Sequence, residues 1–174
     1  MNYGETPMHT IDFIRMSMDA SKEMSLSLIN DLQDEPFAQP TINGGNHAIW
    51  ILGHLAYIES VMIHQLIQGK DTCTLAHHKE TFDPEGGPST EPSEYPSFDQ
   101  LFEDYNTARR ETVEYLDTIT QNELNSPALG CPEEWKPHFG TIAQCLDFIA
   151  HHPSLHFGQL ADIRKSLGRK PIFG

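Results

Sequence analysis

The chain has 174 residues, 38% of them hydrophobic, which suits one domain over residues 1–174 with a sizeable core and lies outside the disordered regime. Its 25 acidic residues against 11 basic ones give a formal charge of −14, which repels phosphate backbones and anionic membrane surfaces. Neither nucleic acid nor membrane is therefore expected as a partner, and the basic group Arg164, Lys165, Arg169 and Lys170 reads as cations at a helix end.

The N-terminal stretch MNYGETPMHTIDF lacks a basic patch followed by an apolar run, so no leader is expected. Cys73, Cys131 and Cys145 form no C-x-x-C pair and suggest neither a disulfide framework nor a cysteine zinc site. A reducing cytoplasm is the expected compartment.

Four segments carry helical periodicity and no strand pattern competes, so the fold class is all-α, most simply a four-helix bundle. The first helix spans about 10–33 on the line Ile11, Ile14, Met18, Ser21, Ser25, Leu28, Leu32, diluted by its two serines. Pro36, Pro40 and the Gly44–Gly45 pair then break the chain. The second helix is expected from Asn46, as N-cap, to about Gln68, apolar on most faces and closed by Gly69.

Residues 70–96, rich in Pro, Gly and Ser, read as a long irregular connection that can cross over between parallel helices. The third helix opens on Ser97-Phe98-Asp99-Gln100, a capping-box pattern, and carries the stripe Leu101, Tyr105, Ala108, Thr112, Leu116, Ile119. A second irregular stretch leads to Thr141-Ile142-Ala143-Gln144, another such box, and a fourth helix running to Leu167 with Gly168 behind it.

The buried line of that fourth helix is Ile142, Cys145, Ile149, His152, His156, Leu160, Ile163, Leu167. Histidines four apart stand one turn apart on the same face. Buried imidazoles must satisfy both ring nitrogens, and two adjacent ones are costly unless something binds both. A divalent metal does so. A lone core histidine is more often hydrogen-bonded filler than a ligand; the spaced pair puts the two readings on an equal footing.

On the second helix the line His47, Ile51, His54, Ile58, Val61 turns His54 inward, with Gly53 beside it allowing close helix approach. His54, His152 and His156 thus make a three-nitrogen set with open positions, catalytic in form. Pro153 lies between the paired histidines and either kinks the helix or begins a new one.

The segment Asn46-His-Ala-Ile-Trp-Ile-Leu-Gly-His54-Leu-Ala resembles the helix-two motif of the DinB/YfiT-like superfamily. His152-Pro-Ser-Leu-His156-Phe-Gly-Gln-Leu, followed by an Arg/Gly/Pro tail, is similar to its helix-four motif, although Pro153 departs from the usual helix formers there. The resemblance spans the chain in helix order, including the long connection between helices two and three. It implies a four-helix bundle whose metal ligands are His54, His152 and His156, holding nickel or zinc, often in a homodimer. It also points to thiol-dependent chemistry, since characterised relatives include bacillithiol S-transferases and mycothiol-dependent isomerases.

The leading expectation is therefore a metal-dependent S-transferase acting with a low-molecular-weight thiol and an electrophilic acceptor. Tyr57 and Gln159, one turn from His54 and His156, are the candidate outer supports, with an ordinary packing role as the alternative. A metal-dependent hydrolase is the second reading, and Glu59 and Asp147 lie at spacings that turn them off the ligand face. The third is a non-catalytic metal-binding stress-response protein. Cys145 reads as packing, and His77, His78 and His138 as solvated loop residues.

Overall fold

The computed structural model describes residues 8–41, 44–83, 85 and 87–172. Residues 1–7 of the stretch read for a leader fall outside that range. The described residues are all-helical: α1 Thr10–Asp31, α2 Ala48–Val61, α3 Lys79–Phe82, α4 Phe98–Leu116, α5 Lys136–Phe139 and α6 Ile142–Ser166. No strand forms among the described residues, whose β-type pairing is confined to isolated bridges at Thr41–Gly44 and Pro127–Thr141. No helix among the described residues is long and apolar enough to cross a membrane.

α1 buries Ile14, Met18, Ser21, Ser25, Leu28 and Ile29, so its serines belong to the stripe. They are small enough to let α6 come close, and the Ser25 hydroxyl donates to the Pro153 carbonyl at 2.9 Å. α2 begins one residue later than expected. His47, not Asn46, is the N-cap, its Nδ1 accepting from the Trp50 N–H at 3.1 Å. The Asn46 side chain instead donates to Gln159 Oε1 across the helix pair at 3.2 Å.

α2 then widens into a π-helical turn over Met62–Ile67, and Gly69 leaves it at φ +66°. The connection beyond is not wholly irregular: it carries a 3₁₀ turn at Ala76–His78 and the short α3. At the start of α4 the Ser97 hydroxyl accepts from the Gln100 N–H at 3.2 Å, while the Gln100 side chain turns to Asp104, so the expected box is half made. α4 stops at Leu116, short of Ile119. The box at Thr141–Gln144 is complete.

Helix directions follow from the cross-helix contacts. Arg15 meets Asp117 at 2.8 Å and Lys22 meets Asn106 at 2.7 Å, so α1 and α4 run oppositely. Ser25 meets Pro153 and Asp31 meets Arg164, so α1 and α6 run together. Asn46 meets Gln159 and His54 meets His152, so α2 opposes α6. By the same pairings α2 and α4 run together.

Two apolar clusters fill the interior. One gathers the first half of α2, the start of α4, Phe82 and the end of α6 around Leu160 and Ile163. The other gathers the start of α1, Met62–Ile67, Leu116 and the start of α6 from Ile142 to Ala150. On α6, His152 and His156 occupy the waist between them. α6 passes through Pro153 as one unbroken helix, so the proline neither ends it nor separates the two histidines. The missing N–H leaves the Ile149 carbonyl without its usual helical donor.

Candidate metal centre

His54, His152 and His156 are each more than nine-tenths buried, on α2 and α6. Their donor atoms converge: His152 Nε2 lies 3.2 Å from His54 Nε2 and 3.1 Å from His156 Nε2. All three lie within 4.8 Å of one another. Nitrogens 2.0–2.1 Å from a shared ion, at tetrahedral to octahedral angles, sit about 2.9–3.4 Å apart. The two short edges fall in that range.

The other ring nitrogens decide the protonation pattern. His54 Nδ1 lies 2.9 Å from the Phe82 carbonyl, which only accepts, so the proton is on Nδ1. His156 Nδ1 lies 2.9 Å from Gln159 Oε1, which also accepts from the Asn46 amide, and in this arrangement the His156 proton is on Nδ1. In the neutral rings both Nε2 atoms are therefore bare lone pairs. His152 Nε2 carries one proton at most and can satisfy only one of them. An unpaired buried acceptor costs about 1–3 kcal/mol, so the trio is unfavourable on its own terms and fits a shared cation.

Burial favours the ligand form. It pushes the His54 pKa down to about 4 and that of His152 down to about 2, with neighbouring imidazoles adding to the fall; His156 is lowered by the same burial. Neutral imidazole is the state a metal requires.

Aromatic rings fix the ring planes. Trp50 stacks on His54 at 4.5 Å and 11°, and Phe148 on His152 at 4.8 Å and 22°. The carbonyls of Thr81 and Phe82 hold the Trp50 indole N–H and the His54 ring, so α3 clamps α2 at the site. Gly53 makes room for this clamp. A Cβ there would lie 2.2 Å from Phe82 Cζ, so the small residue admits the Phe82 ring at the end of α3.

His54 Nδ1–H thus donates to the Phe82 carbonyl and not to Tyr57, a buried side chain whose phenol is pushed up to about 12 by burial. Gln159 does hold His156. Cys145 is fully buried, its thiol pushed up to about 12 by burial, which suits packing and not nucleophilic attack. Asp147 is exposed and pairs with His151 at 3.2 Å.

Glu59, turned away from the ligands, is buried in a two-point ion pair with Arg109 at 2.8 and 3.0 Å. The pair was missed in sequence, yet a signal existed: Glu59 is the one carboxylate in an otherwise apolar helix, and Arg109 follows Tyr105 by one turn. A cavity of about 10 Å³, the size of one water, lies between Glu59, Tyr105, His152 and Pro153. His138, read as a loop residue, lies on α5 but is exposed, and so is His77 in the turn Ala76–His78. His78 is not: it is buried and bonded to Asp104 at 2.7 Å.

Known proteins agree with this architecture. A crystal structure of a conserved protein from Enterococcus faecalis is 19% identical and aligns over 94% of this chain and 100% of its own, with a TM-score of 0.68, a likeness of fold. Curated proteins give no match. The family model described as DinB superfamily matches residues 17–160, which takes in α2, α4 and His54, His152 and His156. The chain belongs to the DinB superfamily.

Proposed function

We propose that this protein is a metal-dependent S-transferase acting with a low-molecular-weight thiol, and that His54, His152 and His156 hold one nickel or zinc ion. The carrying observation is the convergence of three Nε2 atoms that share at most one proton. In this reading the chain is a four-helix bundle of the DinB/YfiT type, with residues 70–96 as the crossover between α2 and α4.

An ion held by three neutral imidazoles would keep its full charge and acidify a thiol or water brought to it. The chain's own part is positional. Phe82 and Gln159 keep the Nδ1 protons of His54 and His156 in place, and Trp50 and Phe148 prevent ring rotation. The thiol reading is favoured over a hydrolase because neither carboxylate weighed as a base serves the site: Glu59 is held by Arg109, and Asp147 is exposed to solvent. Phe13, Met16 and Met24, exposed on one side of α1, are the surface we assign to a second copy. The three cysteines are free, which suits a reducing cytoplasm.

Two measurements test the proposal. The inner trio should hold one divalent ion in the purified protein and lose it in His54→Ala; an unchanged metal complement in the variant would remove His54 from the site. Bacillithiol, mycothiol, glutathione and cysteine should then be offered with electrophilic acceptors. Metal-dependent consumption of one thiol is expected. Turnover with none, despite bound metal, would favour the non-catalytic alternative or hydrolysis.

A further inference from the structure

Outside the waist, a second group of donors converges on α4. His77 and His78 end the 3₁₀ turn Ala76–His78, and Asp104 projects from α4. One ligating atom from each lies within 4.8 Å of the other two. His78 is 3% exposed and Asp104 8%, with His78 Nε2 and Asp104 Oδ2 2.7 Å apart. The other carboxylate oxygen accepts from Gln100 Nε2 at 2.9 Å, which fixes the carboxylate plane.

A buried histidine–aspartate bond alone would account for His78 and Asp104. It leaves His77 unexplained. Successive side chains on a 3₁₀ turn diverge by about 120°, since three residues complete a turn. Here the His77 and His78 rings lie 4.1 Å apart, and His77, although exposed, brings a nitrogen to the same point as its neighbour. Two imidazoles and one carboxylate are a donor set for borderline divalent ions such as Zn²⁺. The carboxylate supplies the charge, and a chain of net charge −14 raises the local cation concentration.

We propose that His77, His78 and Asp104 form a second, solvent-accessible site for a divalent cation of the zinc type. An ion there would pin the turn Ala76–His78 to α4. The next residues, Lys79–Phe82, are α3, whose carbonyls hold Trp50 and His54, so the outer ion would brace the clamp of the inner centre. The site rests on its own donors and stands whether or not the inner trio binds metal.

The test is Zn²⁺ titration of the chelator-stripped full chain, by calorimetry and by elemental analysis. Wild type should take two ions per chain. His77→Ala and Asp104→Asn should each take one, the outer affinity falling by more than about tenfold, the least expected even for loss of an outer-shell partner. His152→Ala should keep the outer ion and lose the inner. His77 is exposed, so His77→Ala decides the matter if Asp104→Asn fails to fold. Two ions retained in His77→Ala would overturn the site, as would a single wild-type ion that survives there but vanishes in His152→Ala. A single ion lost in His77→Ala but kept in His152→Ala would uphold the outer site and sink the inner assignment.

Discussion

α2 buries polar groups on two sides, and the two sides are built in opposite ways. Toward α4, Glu59 meets the Arg109 guanidinium in two hydrogen bonds, and both residues are 4% exposed. Each charge answers the other within the chain, although Arg109 Nη1 is left without a hydrogen-bond partner. Toward α6, His54 meets two more histidines whose lone pairs face one another, and in the neutral rings no arrangement of protons satisfies all three. A polar pair that closes on itself holds helices together. One that stays open needs a ligand, and that difference separates architecture from function along a single helix.

Removing half of the closed pair is the harshest way to break the comparison. Arg109→Ala strands a buried carboxylate and should cost about 3–5 kcal/mol in chemical denaturation. Metal content of the folded fraction should stay at the wild-type level, because the hydrogen bonds of Arg109 go to Glu59 and not to the histidines. Loss of metal alongside a small stability change would mean that the two sides act as one unit.

How legible each side was in the sequence follows from the same contrast. His152 and His156 share a helix, so spacing alone places them together, and the stripe around His54 turns it inward. The Thr141–Gln144 box is equally local. Glu59 and Arg109 lie 50 residues apart, on helices joined by a connection with no periodicity, so no spacing rule pairs them. The same holds for Phe82, whose contribution to His54 is a backbone carbonyl that any residue type supplies. His78 read as solvated because it sits in a polar stretch, and only the approach of α4 buries it against Asp104. Local patterns turned each histidine inward and so suggested the trio, whereas cross-fold contacts with no such pattern behind them were not readable.

Acid should separate the two sides next. In the metal-free protein His54 and His152 hold pKa values of about 4 and about 2, below the usual 6.5. The unfolded chain therefore takes up protons first as pH falls below about 6.5, and the folded state loses stability at about 1.4 kcal/mol per pH unit per histidine. The loss continues until each folded-state value is reached. Denaturation of the chelator-treated protein from pH 7 to 5 should show this slope, and His152→Leu should reduce it. An unchanged slope in that variant would mean that the trio does not carry the effect.

The subtlest change acts on the clamp. In Gly53→Ala the new methyl would meet the Phe82 ring at 2.2 Å, and the aromatic must move. Overpacking of this kind costs about 1–3 kcal/mol. The ring and the carbonyl that orients His54 belong to one residue, so metal affinity should fall by roughly 10–100-fold with the ligands untouched. Gly158 on α6 is the control. Nothing lies within 4 Å of a Cβ built there, and Gly158→Ala should stabilise the helix by about 0.5–1 kcal/mol with metal binding unchanged. Equal metal affinity in the two variants would show that the Phe82 carbonyl does not position His54, and that the inner centre rests on helix packing alone.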